Sequence, residues 1–144
     1  MNKLCLKALI VLFMLSPICS FAQEVSLKEL YGKKQQALKT LDINEVSKYI
    51  SSDLLSAIKK EKDPKGTLFL MDYHSPKEYD TGKEVINGNT ATMEIKGRAR
   101  NPQLKGVEDN FTGIINFKKE GNSWKIVSED IKYATPKNKL LKTY

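Results

Sequence analysis

The first half of the chain carries apolar residues at helical spacing. Between residues 26 and 41 they form a single stripe, made of Leu27, Leu30, Tyr31, Leu38 and Leu41. Ser26 and Glu29 have the spacing of a capping box, which predicts the start of this helix. Lys34 interrupts the stripe, and we expect its stem to lie along the helix while its ammonium group stays in water.

Two shorter helices are predicted next. Asp42 and Glu45 repeat the capping pattern ahead of apolar residues at Val46, Tyr49 and Ile50. A further helix can begin at Ser52, with a buried side formed by Leu54, Leu55 and Ile58. The Asp-Pro-Lys-Gly segment at 63–66 then predicts the end of the helical part, and we expect the apolar run 68–71 to be extended.

The second half of the chain alternates as strands do. Segments 78–86 and 90–99 flank the hairpin signal Asn87-Gly88-Asn89, and the later segment buries alternate residues, namely Ala91, Met93, Ile95 and Gly97. A second hairpin is predicted over 110–133, where apolar residues lie on both sides of a turn at 120–123: Phe111, Ile115, Phe117, Trp124, Ile126 and Ile131. We expect a polar loop over 100–109 between the hairpins.

The fold class follows from this order of elements. A hairpin as apolar as 110–133 is not stable alone and needs further strands or a helix across one face. Helices followed by antiparallel strands are typical of an α+β fold. The sequence therefore predicts N-terminal helices packed on one face of a curved antiparallel sheet.

Several of these segments resemble the small NTF2-like (cystatin-like) domains of exported bacterial proteins. The resemblance lies in the helical start at 41–55, the turn at 87–92, and the strand at 113–120 that leads to Trp124, and it covers about Val25 to Lys132. It implies a cone-shaped sheet whose concave side is closed by the helices. Many such domains in envelope proteins have no assigned activity, so the resemblance implies no particular function.

The first 22 residues have the layout of a secretory signal peptide. Lys3 and Lys7 give a positive start, an apolar stretch follows, and Ser20-Phe21-Ala22 is a cleavage site. The apolar stretch is shorter than the roughly 20 residues that cross a membrane, and the residue before Cys19 is not the small one that lipid attachment usually requires. We therefore expect a secreted or periplasmic protein without a stable membrane anchor, made of a signal peptide (1–22), one domain (23–133) and a basic tail (134–144).

The number of cysteines and the net charge limit the kinds of catalytic site, metal site and partner that the chain can have. Cys5 and Cys19 both lie in the predicted leader, so the mature chain would have no disulfide, no cysteine nucleophile and no cysteine-bound zinc. The net charge is +7, or +5 without Lys3 and Lys7, which favours anionic partners. Nucleic acid is not expected, because the aromatic residues are not interleaved with basic ones. No metal and no cofactor is predicted.

Candidate catalytic groups are few. His74 is the only histidine, and a triad would have to join it to Ser75 and to Asp72 or Asp80. No nucleophile elbow surrounds it, so we expect a loop histidine. An enzyme of the ketosteroid-isomerase type would need a base and a hydrogen-bond donor inside an apolar cavity. The candidate bases are Asp72, Asp80 and Glu94, of which the strand pattern places Glu94 toward water, and the candidate donors are Tyr31, Tyr49, Tyr73 and Tyr79.

Two groups of residues are candidates for binding. Aromatic side chains could line a pocket for an apolar ligand or simply fill the core: Tyr31, Tyr49, Phe69, Phe111, Phe117 and Trp124. Basic side chains at strand spacing could dock an anionic partner or form a solvated strand face: Lys96, Arg98, Arg100 and the nearby Lys105.

The sequence favours an exported, non-enzymatic binding or interaction module. It would bind a small apolar ligand in the cone, or an envelope protein through the sheet. The alternative is a small isomerase- or dehydratase-like enzyme with a carboxylate and a tyrosine in the cavity, and a third hypothesis is contact between the basic residues and anionic polymer or lipid. A cavity lined only by carbon would exclude the enzyme, whereas an acidic group beside a tyrosine hydroxyl would favour it.

Overall fold

A computed structural model describes residues 25–105 and 107–135 as four helices followed by four strands. The helices are α1 (Leu27–Leu38), α2 (Ile43–Ser47), α3 (Ser52–Lys60) and α4 (Pro64–Tyr73). The strands are β1 (Glu78–Asn87), β2 (Thr90–Arg100), β3 (Glu108–Glu120) and β4 (Ser123–Tyr133), with a short 3-10 helix at Pro102–Leu104. The predicted signal peptide (1–22) lies outside the described residues, as does most of the predicted tail.

Side-chain caps begin the first three helices. The Ser26 hydroxyl accepts a hydrogen bond from the backbone N–H of Glu29 at 3.1 Å, which confirms the predicted start of α1. Asp42 caps α2 in the same way. The helix α3 begins at Ser52 as predicted, and its cap is the preceding residue, Ser51. Each cap satisfies a backbone donor that has no partner within its own helix.

The prediction that the helical part ends at 63–66 is wrong, because these residues start α4. The Asp63 carboxylate accepts from the N–H of Gly66 at 2.9 Å, and Pro64 occupies the first helical position, where its missing N–H costs nothing. The run 68–71 is therefore helical rather than extended. Leu68 faces the other helices, whereas Phe69 and Leu70 face solvent.

The sheet is an antiparallel meander in the order β1-β2-β3-β4. Both predicted hairpins are confirmed, and each turns through two residues of which the first is a glycine at positive φ, Gly88 (58°) and Gly121 (62°). Register shifts interrupt the pairing of β1 with β2 between Thr81 and Glu84, and of β3 with β4 after Asn116. These bulges bend the strands and help to give the sheet its curvature.

The predicted loop between the hairpins is shorter and more ordered than the sequence indicated. The strand β2 runs to Arg100, β3 begins at Glu108, and Asn101 between them is fully buried. Its side-chain amide donates to Asp109 at 3.2 Å and accepts from the N–H of Gln103 at 2.9 Å. A buried amide with its hydrogen bonds satisfied fixes this connection in place.

The helices cover the concave face of the sheet, so the predicted α+β architecture is confirmed. One core cluster lies between α1 and the sheet and contains Leu27, Leu30, Tyr31, Ala91, Met93, Ile95, Ala99, Phe111, Ile115, Phe117, Trp124 and Ile126. A second cluster lies among the helices and contains Ala37, Leu38, Val46, Ile50, Ile58 and Leu68. Within the described ranges, no helix has both the length and the apolarity that a membrane crossing requires.

Residues 49–51 pair with the outer edge of β4. The N–H of Ser51 donates to the carbonyl of Ile126 at 2.8 Å, and the N–H of Ile126 donates to the carbonyl of Tyr49 at 2.9 Å. Ile50 thus forms a short parallel bridge with Ile126. This segment joins the helical half of the chain to the sheet through backbone hydrogen bonds as well as through apolar packing.

The end of β3 is joined to the start of α3 by Glu120. Its carboxylate accepts from the backbone N–H of Ser52 at 3.0 Å and from the Ser52 hydroxyl at 2.9 Å, and Lys118 lies 3.2 Å away. The hydrogen bond from the Ser52 backbone is the main reason that the pKa of Glu120 lies below its ordinary value. The charged carboxylate therefore favours the folded state.

A variant at this position should alter the acid sensitivity of the fold. A lowered pKa contributes stability above the ordinary glutamate pKa of about 4.3, and that stability is lost as pH falls through the lowered value. Glu120→Gln should be less stable than the wild type at pH 7 and nearly equal to it at pH 3. The midpoints of urea unfolding at pH 7 and at pH 3 measure this difference in stability. Glu61→Gln is the control, because Glu61 is exposed. An equal difference between wild type and Glu120→Gln at both pH values would contradict the prediction.

Candidate functional site

A buried ion pair joins α1 to β4 on the concave side of the sheet. The Lys34 ammonium contacts one oxygen of the Glu129 carboxylate, and the Tyr31 hydroxyl donates to the other oxygen at 3.0 Å. The Lys34 side chain is only 2% exposed and that of Glu129 is 23% exposed. The expectation that the Lys34 ammonium stays in water is therefore wrong, because a carboxylate on the facing strand receives it.

The position of Glu129 depends on the bulge in β4. Ile126 pairs with Phe117, but after the bulge Glu129 pairs with Ile115 and Ile131 pairs with Gly113. The extra residue shifts the alternation, so odd-numbered side chains rather than even-numbered ones point inward along the rest of β4. Tyr31 and Lys34 lie one turn apart on the buried face of α1 and so reach the same carboxylate.

Tyr31 is held in its protonated form. Its side chain is fully buried, and its ring packs edge-on against Tyr79 with the ring centroids 5.3 Å apart. Burial and the neighbouring Glu129 charge together raise the pKa of Tyr31 far above its ordinary range. The Tyr31 hydroxyl therefore keeps its proton at neutral pH and donates it to Glu129.

A cavity of about 370 Å³ lies beside this ion pair, between the helices and β4. Its walls are largely apolar and come from both halves of the chain, namely Leu54, Met71, Val127 and Ile131. Its polar lining consists of Lys34, His74, Ser75, Ser128, Glu129 and Tyr133. We call this the β4 cavity. It combines an apolar wall with a few fixed polar groups, as ligand sites in proteins commonly do.

Three of the polar groups have their protons directed to backbone carbonyls. The Ser75 hydroxyl donates to the carbonyl of Met71 at 2.7 Å, and the Tyr133 hydroxyl donates to the carbonyl of Arg100 at 3.2 Å. Nδ1 of His74 lies 3.0 Å from the same Arg100 carbonyl. Because a carbonyl only accepts, Nδ1 carries the proton, and Nε2 of the neutral ring is an acceptor. His74 ends α4 rather than lying in a free loop.

The aromatic pocket candidates do not line the β4 cavity. Tyr31, Phe117 and Trp124 belong to the core between α1 and the sheet, and Tyr49 packs against both core clusters. Phe69 is 51% exposed on the outer side of α4, where it stacks on Tyr73. Phe111 lies in the same core, so the structure brings four of the six candidates together there and separates Phe69 from them, since α4 is a helix and not a strand.

None of the three acidic candidates has its carboxylate beside a tyrosine hydroxyl, but another acidic residue does. Asp80 and Glu94 are exposed, and Asp72 is half-buried near the end of α4. Glu129, which the sequence did not single out, is the acidic side chain that lies beside a tyrosine hydroxyl within the cone. A change in the apolar alternation, from Trp124 and Ile126 to Ile131 and Tyr133, was the signal that could have found it.

The basic candidates are only partly together. Lys96 and Arg98 are exposed on the outer face of the sheet, and Lys105 is exposed after the 3-10 helix, with a left-handed backbone (φ 49°). Arg100 is instead placed over the ring of Tyr73, 4.2 Å from its centroid. Glu78 and Glu108 line the same depression as Arg98, so the surface there carries both signs of charge. Docking of an anionic partner at Lys96 and Arg98 stays a prediction.

A second depression lies on the outer face of the sheet. Its volume is about 510 Å³, and its floor includes Gly113 and Ile114. Charged side chains of both signs surround it, namely Glu94, Lys96, Asp130 and Lys132. Ile114 is partly exposed in this depression. The β4 cavity differs from it because the two charged side chains of the β4 cavity, Lys34 and Glu129, form a buried ion pair.

Within residues 25–105 and 107–135, no three His, Cys, Asp or Glu side chains cluster closely enough to hold a metal ion.

Comparison with known proteins gives matches among solved structures. The sequence has no match among protein-family models or among curated proteins. A SEC-C motif containing protein from Rhodopseudomonas palustris aligns with a TM-score of 0.52 at 14% identity, over 74% of this chain and 78% of that one. An NTF2-like protein of unknown function from Shewanella baltica aligns with a TM-score of 0.44 at 18% identity, over 76% of this chain and 91% of that one.

A third match is described as a calcium/calmodulin dependent protein kinase II association domain, from Xanthomonas campestris. Its TM-score is 0.46 at 10% identity, over 74% of this chain and 84% of that one. At such identities the likeness concerns the fold and not the activity. With four helices laid across a curved, unclosed antiparallel sheet, the described part of the chain is an α+β domain, and the resemblance to NTF2-like domains stays a prediction.

Proposed function

We propose that this chain is an exported binding domain that holds a small, largely apolar molecule in the β4 cavity. The observation that carries the proposal is the cavity itself, with about 370 Å³ of space, apolar walls and a fixed polar lining. Ligand cavities in proteins have volumes of about 300–1,000 Å³, so the β4 cavity would take a ligand at the small end of that range. The predicted signal peptide supports the exported location.

The hydrogen bonds of Glu129 favour binding over catalysis. One carboxylate oxygen is paired with the Lys34 ammonium, and the other already accepts from Tyr31. A general base must reach the proton that it removes, and both oxygens of this carboxylate are already engaged by donors of the protein. The Tyr31 hydroxyl is likewise committed to Glu129 and has no second proton for a substrate oxygen.

A small isomerase- or dehydratase-like enzyme is the second candidate. The observation in its favour is that a carboxylate and a tyrosine hydroxyl do meet beside an apolar cavity, as that chemistry requires. A ketone that fits the cavity, such as 2-tetralone, separates the two candidates when its α-proton exchange is followed in D₂O by NMR. The binding proposal requires no exchange above buffer, whereas exchange that is lost in a Glu129→Gln variant shown by circular dichroism to be folded would establish the enzyme.

Binding is tested with a neutral fluorescent probe. N-phenyl-1-naphthylamine should bind residues 23–144 saturably with one site per chain, seen as a rise in fluorescence. Met71→Trp fills the cavity from the α4 side and should weaken binding at least tenfold. Leu70→Trp is the matched control, because Leu70 is the neighbouring residue on the same helix and is 55% exposed.

The results of these binding measurements distinguish a correct site from a wrong one. Absence of saturable binding, or equal binding by Met71→Trp and Leu70→Trp, would overturn the proposed site. Circular dichroism first confirms that each variant is folded. If Met71→Trp does not fold, Val127→Phe fills the same cavity from β4 and carries the same expectation.

A further inference from the structure

We propose that the ligand of the β4 cavity is a neutral molecule with an apolar body and a hydrogen-bond donor, of the class of alcohols and phenols, directed at His74, Ser75 and Tyr133. This inference rests on the proposed function and deepens it. The juxtaposition that carries it is three polar groups in one cavity whose own protons are all committed to backbone carbonyls.

Each of these three groups can still accept a hydrogen bond, but none has a proton left to donate to a ligand. Ser75 and Tyr133 have given their hydroxyl protons to the carbonyls of Met71 and Arg100, which leaves lone pairs on both oxygens. His74 donates Nδ1–H to the carbonyl of Arg100, and in this tautomer its acceptor is Nε2. A ligand oxygen without a proton would find no donor among these three groups, and placing it against their lone pairs would cost the desolvation of a polar group. A ligand hydroxyl would satisfy one of them.

The charge of the cavity argues for a neutral ligand. Among the described residues that line it, Lys34 and Glu129 are oppositely charged and already contact each other. An ammonium or carboxylate ligand would therefore bring an uncompensated charge into a largely apolar space, and buried charges without partners are strongly unfavourable. The aliphatic walls formed by Leu54, Met71 and Ile131 suit an apolar body.

Four probes of nearly equal size test the inference by displacement of N-phenyl-1-naphthylamine at pH 7: naphthalene, 1-naphthol, 1-methoxynaphthalene and 1-naphthoate. We expect 1-naphthol to bind about three- to tenfold more tightly than naphthalene or 1-methoxynaphthalene, which is the effect of one neutral hydrogen bond. We expect 1-naphthoate to bind at least tenfold more weakly than 1-naphthol. Equal affinities of the first three probes, or tighter binding of the carboxylate, would overturn the inference.

Variants locate the acceptor. Tyr133→Phe, His74→Phe and Ser75→Ala each remove one acceptor, so at least one of them should abolish the preference for 1-naphthol over 1-methoxynaphthalene. Tyr49→Phe is the matched control, because Tyr49 does not line the cavity, and it should keep that preference. If none of the three variants changes it, the inference fails.

The inference and the proposed function fail in different ways. If N-phenyl-1-naphthylamine itself does not bind saturably, the binding site proposed above is wrong. If it binds and is displaced equally well by all three neutral probes, the site stands and only the ligand class is wrong.

Discussion

Glu129→Gln should lower the free energy of unfolding by about 3–5 kcal/mol, the range for removal of one partner from a buried ion pair. The substitution keeps the shape of the side chain but removes its charge, and it leaves the Lys34 ammonium buried without a counter-charge. Tyr31 would retain an acceptor in the glutamine carbonyl, so the loss reports mainly on the charge. Urea unfolding followed by tryptophan fluorescence measures it through Trp124.

Two further variants test whether burial of the Lys34–Glu129 ion pair is the cause of this loss of stability. Glu45→Gln breaks the Glu45–Lys48 pair, whose side chains are both exposed, and should change the stability far less than Glu129→Gln does, because solvent screens the pair. The triple variant Tyr31→Phe, Lys34→Met and Glu129→Leu removes both charges together with the hydroxyl that Glu129 accepts from, and it should be as stable as the wild type or more stable. If Glu129→Gln costs no more than Glu45→Gln, Lys34 is not buried as described.

Phe117→Ala should be destabilising to a similar degree, by about 3–5 kcal/mol. Phe117 is 2% exposed and lies in the core between α1 and the sheet, where it pairs across strands with Ala91 and Ile126. Because Phe117 is packed among buried side chains of α1 and the sheet, removal of the ring leaves a cavity that these neighbours fill only in part.

Phe69→Ala is the matched control for the same change of side chain. Phe69 is half exposed on α4 and stacks on Tyr73, so its loss should cost about 1 kcal/mol or less. Thermal or urea unfolding of both variants gives the comparison directly. Equal destabilisation by the two substitutions would mean that the aromatic core is not centred on Phe117.

Most of the fold could be predicted from local signals. Capping residues such as Ser26 and Asp42 mark helix starts because they satisfy backbone donors next to them in the chain. Asn-Gly and Gly-Asn turns mark the hairpins for a similar reason, since Gly88 and Gly121 have positive φ. Local signals do not identify the helix start at Asp63-Pro64, because aspartate followed by proline suits a turn and a helix start equally well. Only the packing of Leu68 against the other helices decides between them.

The candidate site could not be predicted in the same way, because it depends on contacts distant in sequence. Lys34 and Glu129 are 95 residues apart, and nothing near either one indicates the partner. The bulge after Ile126 also reverses which side chains of β4 face inward, and strict alternation places Glu129 in water. His74 was recognised as a lone histidine, but its bond to the Arg100 carbonyl depends on where α4 ends against β2.

The bridge between Ile50 and Ile126 has a consequence for self-association. A strand from another molecule laid along β4 would have to displace the backbone hydrogen bonds of residues 49–51, whereas β1 has a sheet neighbour on one side only within the described chain. Around Ile126 the edge of β4 is therefore closed to another strand, whereas the edge of β1 is open. Two copies joined through their β1 edges would cover both of those open edges in a closed dimer.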